Sequence, residues 1–81
     1  MRTDKNVLVY AKSVQDAKER AKEILLDYSI EHGEMFEGIE IEKVRKLKPS
    51  DTAKDWDYFS ISNTAHADEK GFRGFIVTVE V

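Results

Sequence analysis

The hydrophobic positions over the first 33 residues change from a continuous apolar run to a helical spacing. The run Val7–Ala11 is rich in β-branched and aromatic side chains, which is typical of a buried strand. Beyond it, apolar residues recur every three or four positions, as on one face of an α-helix. They are Val14, Ala17, Ala21, Ile24, Leu25 and Tyr28. Ser13 can cap the free amides at the start and Gly33 can end the helix in the left-handed conformation, so the pattern predicts a helix over about residues 14–31.

The remaining hydrophobic segments predict three more strands. In residues 36–47, isoleucines alternate with glutamates until Val44 breaks the phase with Leu47, which predicts either a β-bulge or a switch of faces. Residues 56–62 combine aromatic and apolar side chains, and residues 72–81 alternate apolar and other positions most regularly of all. The predicted order of elements is therefore β-α-β-β-β.

These elements predict a single α+β domain over residues 1–81, in which one helix packs on a four-stranded mixed or antiparallel sheet. Ala17 and Ala21 are small, so the helix can approach the sheet closely. The first and fourth predicted strands are the most apolar and are expected to pair at the centre. With the strands numbered along the chain, the predicted sheet order is 2-3-4-1.

Composition and charge narrow the class of protein. The 81 residues include no cysteine. They include 13 Lys and Arg and 16 Asp and Glu, which give a net charge of −3. Without cysteine there is no disulfide framework and no thiolate metal site, which favours a reducing compartment. The sequence shows no pattern of a signal peptide or a membrane span. We therefore expect a cytoplasmic protein without a membrane partner.

The third predicted strand has an excess of apolar surface. Trp56 and Tyr58 alternate with Phe59 and Ile61, so both faces of this strand carry large apolar side chains. One helix covers one face of a four-stranded sheet and leaves the other face and both edges open. We therefore predict a small non-enzymatic protein-interaction module. It would bury its uncovered sheet face or edge in a homodimer or against a protein target.

A basic segment followed by aromatic residues supports an alternative function, the binding of single-stranded nucleic acid. Four cations fall within six residues, and two aromatic residues follow on the strand expected beside them. These residues are Lys43, Arg45, Lys46, Lys48, Trp56 and Tyr58. Cations that follow phosphates and rings that stack on bases form such a surface. The same pattern also fits a solvated strand face with the aromatics in the core, and the net negative charge argues against a general nucleic-acid coat.

The sequence predicts no catalytic, cofactor or metal site. His66 lies in a polar segment without marked partners that would hold it as a general acid or base. The three aspartates within residues 51–57 lack the spacing of a calcium loop and fit turn and capping roles. This acidic segment and the one at residues 31–37 leave two interpretations open, recognition of a basic partner or simple solvation.

Overall fold

In the computed structural model, which describes residues 3–33, 35–36 and 38–81, the chain forms an α+β fold with one long helix and a three-stranded antiparallel sheet. The elements in chain order are β1 (Asp4–Ala11), α1 (Val14–His32), β2 (Glu40–Lys46), the short helix α2 (Ile61–Thr64) and β3 (Arg73–Glu80). Turns of 3-10 helix lie at Ala53–Asp55 and Ala65–Asp68. No helix among the described residues is long and apolar enough to cross a membrane.

The predicted helix is confirmed as α1, and its ends lie at the expected capping residues. Ser13 Oγ accepts a hydrogen bond from Asp16 N at 3.1 Å. The Asp16 carboxylate in turn accepts from Lys12 N and Arg20 Nε, each at 3.0 Å, and these donors lower the pKa of Asp16. At the other end, Gly33 takes the left-handed conformation with a φ of 68°. Local sequence therefore fixes both ends of α1.

The sheet has three strands in the order β1-β3-β2, and both neighbouring pairs are antiparallel. In the central strand β3, Val77 lies opposite Val7 of β1 and Val44 of β2. The expected pairing of the first and last strands is confirmed, but only β3 lies at the centre of the sheet and β1 is an edge strand. Of the two alternatives for the phase break in β2, the structure has the bulge, where the register shifts between Ile41 and Lys43. The predicted four-stranded sheet and its order are wrong, because β2 pairs directly with β3 and no strand lies between them.

Residues 56–62, predicted as a strand, make only one bridge to the sheet. Tyr58 forms a parallel bridge at the free edge of β1, where Leu8 N donates to Tyr58 O at 2.9 Å. Two residues later, Ser60 Oγ accepts from Asn63 N at 3.4 Å and caps α2. A serine hydroxyl that satisfies a nearby amide favours a helix start over a continued strand. The element order is therefore β-α-β-β, rather than β-α-β-β-β.

The core lies between α1 and one face of the sheet. Ala17 and Ala21 are fully buried, which is consistent with a close approach of the helix to the strands. The odd-numbered residues of β1 and β3 point to the helix because side chains alternate along a strand. The buried ones are Val7, Val9, Ala11, Phe75, Val77 and Val79. Burial of each large apolar side chain stabilises the fold by roughly 1.5–3 kcal/mol.

The opposite face of the sheet is buried as well. Leu8 is 5% exposed and Ile76 is 1% exposed, although α1 lies on the other side of both strands. The connection between β2 and α2 crosses this second face, where its residues contact Gly74, Arg45 and Asn6. The apolar sheet face that the sequence leaves uncovered is therefore covered by the chain itself.

Contacts with β3 and with β1 are among those that hold this connection against the second face. The Leu47 side chain lies over Gly74, where an added Cβ would come within 2.7 Å of Leu47 Cδ2. Farther along the connection, the carbonyl oxygen of Asp55 accepts a hydrogen bond from Asn6 Nδ2 at 3.2 Å. The connection is therefore attached to the sheet at two separate points, at Leu47 beside β3 and at Asp55 beside β1.

Candidate functional site

The four cations that the sequence suggests as a nucleic-acid surface are divided between two faces of the sheet. Lys43 and Arg45 point to the face opposite α1, Lys46 points to the α1 face, and Lys48 follows the end of the strand. The three lysines are exposed. A single phosphate backbone that follows one face of β2 would therefore not meet all four cations.

Arg45 is held in an ion pair. Its Nη1 and Nη2 donate to the two carboxylate oxygens of Asp51 at 2.9 and 3.0 Å, in the bidentate geometry that arginine favours. Lys48 N donates to the same carboxylate at 2.6 Å. Arg45, followed by the Lys48 amide, lowers the pKa of Asp51 to about 2, and Asp51 raises the pKa of Arg45. The pair therefore joins β2 to the connection that covers the second face.

Tyr58 lies at the opposite edge of the sheet from β2. It bridges to β1, so β1 and β3 separate its backbone from the basic strand. Its ring contacts Tyr28 and Phe36 edge-on, at 4.7 and 6.0 Å between ring centroids, and packs against the core. Trp56 is half-buried in the connection that precedes it. The structure therefore does not bring Tyr58 together with the cations of β2.

The free edge of β1 is closed by the chain around the Tyr58 bridge. Asp57 N and Tyr58 N donate to Asn6 O at 2.8 and 3.2 Å, and the Asp57 carboxylate accepts from Asn6 N at 2.9 Å. Asn63 is buried, and its side-chain amide bonds both Tyr10 N and Tyr10 O, at 2.8 and 2.9 Å. These groups occupy positions that a neighbouring strand would otherwise fill. Strand addition to β1 is therefore opposed.

The other edge of the sheet, β2, has two features that oppose pairing with a further strand. Its bulge interrupts the regular register, and most of its side chains are charged. Partial desolvation and the carboxyl groups of Asp4 and Glu80 raise the pKa of Glu42, which lies in the bulge. Neither edge of the sheet is therefore a favourable site for another strand.

A groove of about 380 Å³ lies between the C-terminal half of α1 and residues 59–62, and we name it the α1 groove. On the helix side it is lined by Ile24, Asp27, Tyr28, Glu31 and His32. A smaller cavity of about 130 Å³ adjoins it along the same helix and extends to Glu23 and Arg20. The two cavities share Ile24 and Asp27 on α1 and Ser60 and Ser62 on the opposite wall, so they lie side by side along the helix.

Large apolar side chains are exposed around the α1 groove. Ile61 is 82% exposed, and Phe59 before it is more than half exposed. On the helix, Ile30 is 80% exposed and Leu26, one turn earlier, is more than half exposed. Large apolar side chains exposed in and beside a groove are typical of an interaction surface. The apolar excess that the sequence indicates in residues 56–62 is therefore found at Phe59 and Ile61.

Leu26 and Ile30 are not part of any site predicted from the sequence. They lie outside the spacing of the core face, on the side of α1 where most other residues are charged. The sequence signal for this exposed apolar pair is the occurrence of two branched apolar residues at positions i and i+4 on an otherwise charged helix face.

Ring contacts and hydrogen bonds fix the walls of the α1 groove. The Tyr28 ring stacks on His32 at 4.2 Å between centroids and is braced from behind by Tyr58. On the other wall, the Asn63 amide attaches α2 to β1 through Tyr10. Because both walls are held by internal contacts, the groove is formed before any partner binds, which lowers the entropic cost of binding.

His66 belongs to a separate cluster at the end of the smaller cavity. Its ring stacks on Phe72 at 4.5 Å with 7° between the planes, and its Nδ1 is hydrogen-bonded to the Glu69 carboxylate. The Arg20 guanidinium lies over the same Phe72 ring at 5.2 Å from the centroid. These contacts attach the second 3-10 turn and the chain before β3 to α1.

Asp51, Asp55 and Asp57 each use their carboxylate within the chain. Asp55 completes a capping box with Thr52, and the other two bind Arg45 and a backbone amide of β1. Within the described residues, no three His, Asp or Glu side chains are placed to hold a metal ion. In the other acidic segment, 31–37, positions 34 and 37 lie outside the described residues.

Comparison with protein-family models, with curated proteins and with solved structures finds no match to this chain. A functional conclusion therefore rests on the chain's own geometry and charge. Among the surfaces described above, the α1 groove combines concave shape, fixed walls and apolar side chains that the fold does not bury.

Proposed function

We propose that this chain is a cytoplasmic, non-enzymatic protein-interaction module that binds a protein target in the α1 groove. The observation that carries the proposal is the exposure of Ile61, a large apolar side chain at the groove. Its backbone is held in place because Asn63, two residues away, is bonded to β1. Burial of Ile61 by a partner would remove apolar surface from water and stabilise a complex.

A second copy of this chain is the other occupant that an apolar surface permits. In a two-fold dimer, the same patch on each copy meets itself. The carboxylates of Glu23, Asp27 and Glu31 along one copy would then face the same carboxylates of the other, and like charges at short range oppose association. We therefore commit to a different protein as the target rather than to a homodimer.

The proposal is tested by selecting displayed random peptides against the full chain. The selected peptides are then measured against the double variant F59S/I61S, which removes two apolar side chains from the groove without adding charge. We expect an affinity loss of at least about tenfold, because about 1.4 kcal/mol of lost burial corresponds to a factor of ten. The matched control is V14S, which replaces an exposed apolar residue of α1 outside the groove. This control should bind the peptides as the unmodified chain does.

Selected peptides that bind F59S/I61S as tightly as the unmodified chain would contradict the proposal, and so would a selection that enriches no peptide.

A mixed-sequence single-stranded oligonucleotide is the second probe. Binding that weakens steeply with salt and is abolished in K43E/K46E would support the nucleic-acid alternative and count against the groove. Sedimentation of the free chain at high concentration tests the homodimer, which predicts association that F59S/I61S prevents.

A further inference from the structure

Three acidic residues follow one another along the α1 groove and its adjoining cavity. Glu23, Asp27 and Glu31 are spaced four positions apart on α1 and all are exposed. We name them the acidic stripe. No salt bridge within the described residues involves any of the three. Like charges at i and i+4 disfavour a helix, so the acidic stripe does not contribute to the stability of α1.

Apolar side chains lie on both sides of the acidic stripe. Phe59 and Ile61 lie on one side of the stripe, on the wall of the groove opposite α1. Leu26 and Ile30 lie on the other side, since the rotation of the helix places them away from the groove but next to the stripe. A partner that covers this surface therefore meets a row of carboxylates between two apolar areas.

A helix is the form of partner that fits this surface. An extended segment gains affinity by pairing its backbone with a sheet edge, but the Asn63 amide already occupies the nearby end of β1. A helix makes its backbone hydrogen bonds internally, and it can present side chains of the same kind on successive turns. The acidic stripe spans about 12 Å, at about 1.5 Å per residue, so three cations on successive turns of a partner helix match it.

Given the proposed function, we infer that the protein target of the α1 groove presents an amphipathic helix with a row of Lys or Arg beside a row of apolar residues. The apolar row is buried against Phe59, Ile61 and their neighbours, as in other helix-in-groove complexes. The cationic row meets the acidic stripe and relieves its repulsion. Charge complementarity of this kind selects basic helices over neutral and acidic ones.

The experiment uses three synthetic helical peptides that share one row of leucines and differ only in the flanking row, which is Lys, Gln or Glu. Affinities for the full chain are measured by fluorescence anisotropy at low and at physiological salt. At low salt, the Lys peptide should bind at least about tenfold more tightly than the Gln peptide, and salt should reduce this advantage by screening. Backbone amide chemical shifts should locate the Lys peptide on α1 and residues 59–62.

Two variants separate the acidic stripe from the net charge of the chain. E23Q/D27N/E31Q should lose the advantage of the Lys peptide and keep its affinity for the Gln peptide. The control D4N/E42Q/D68N removes three exposed carboxylates elsewhere, so it changes the net charge equally. It should still prefer the Lys peptide. Equal losses in the two variants would overturn the inference, because the attraction would then belong to the whole chain.

Failure of the inference can be distinguished from failure of the proposed function. If all three peptides bind equally and F59S/I61S abolishes their binding, the groove is an interaction site but the partner is not selected by charge. If the Lys peptide produces no shifts at the groove while library peptides bind there, the inference alone is overturned. If the library yields no groove-dependent peptide, the proposed function itself is overturned.

Discussion

The side-chain amide of Asn63 bonds both backbone groups of Tyr10, donating to its carbonyl oxygen and accepting from its amide. A neighbouring strand would make the same pair of bonds with a residue at the edge of a sheet. The amide thus closes β1 and also positions α2, which forms one wall of the α1 groove. A single side chain therefore links the integrity of the sheet edge to the shape of the candidate site.

Loss of this amide should destabilise the fold. We expect N63A to lower the free energy of unfolding by about 2–4 kcal/mol, because the two Tyr10 groups lose their partners and each costs about 1–3 kcal/mol. Urea titration followed by the fluorescence of Trp56 measures the change. N63D should not restore stability at neutral pH, because its carboxylate would face the Tyr10 carbonyl. The control S62A lies at an exposed position and should change stability by less than about 0.5 kcal/mol. The prediction would be contradicted if N63A, like the control, changed the free energy of unfolding by less than about 0.5 kcal/mol.

The ion pair of Asp51 and Arg45 predicts a loss of stability in acid. The pKa of Asp51 is lowered from 3.8 to about 2 in the folded chain. A depressed carboxyl pKa contributes stability above its unfolded value, and this contribution is lost as the pH falls from 3.8 towards 2. Urea unfolding of the unmodified chain and D51N, from about pH 5 to about pH 2, tests this. The stability difference between the two should shrink across the window. A difference that stays constant would show that the carboxylate charge does not stabilise the fold.

Because Leu47 lies so close to Gly74, we predict that adding even a methyl group at position 74 destabilises the fold. In G74A the new Cβ would lie 2.7 Å from Leu47 Cδ2 and 2.9 Å from Leu47 Cβ. We expect a destabilisation of about 1–3 kcal/mol from this overpacking. Truncation in L47A removes the nearer atom, so G74A should cost less in that background, with a coupling of at least about 0.5 kcal/mol in a double-mutant cycle. Additive effects would mean that Leu47 does not cover Gly74.

The exposed apolar residues in and beside the α1 groove should be dispensable for folding. I30S and I61S are each expected to change the free energy of unfolding by less than about 0.5 kcal/mol, as is usual for surface positions. V77A, at the fully buried centre of the sheet, should cost roughly 1–3 kcal/mol, because it removes buried apolar groups and leaves a cavity. Chemical denaturation of the three variants makes the comparison. A cost above about 1 kcal/mol for I61S would place this side chain in the monomer's own packing instead.

The parts of the fold that local sequence determines could be predicted. The caps at Ser13 and Gly33 and the helical spacing between them define α1, and the alternation in residues 72–81 defines β3. The sheet order could not be obtained in the same way. It depends on whether residues 56–62 continue as a strand, and that is decided by the Ser60 cap and by the contact of Asn63 with Tyr10, 53 residues apart.

The candidate site was only partly accessible to sequence reasoning for a similar reason. Alternation along a strand indicates an apolar excess at Phe59 and Ile61, but it does not show that a polar connection covers the second sheet face and leaves these two exposed. Periodicity also assigns Leu26 and Ile30 to a solvated helix face. Their significance emerges only when the fold places them near a groove.

The central position of β3 has a consequence for how the chain acquires its fold. Both β1 and β2 form their ladders with β3, which follows them in the chain, so neither strand has a ladder partner until residues 73–80 have been synthesised. A nascent chain that ends before β3 can hold little more than α1, and an isolated helix of this length is marginal in water. Formation of the sheet is therefore a late event of high contact order, and folding should be slow relative to helical domains of the same size.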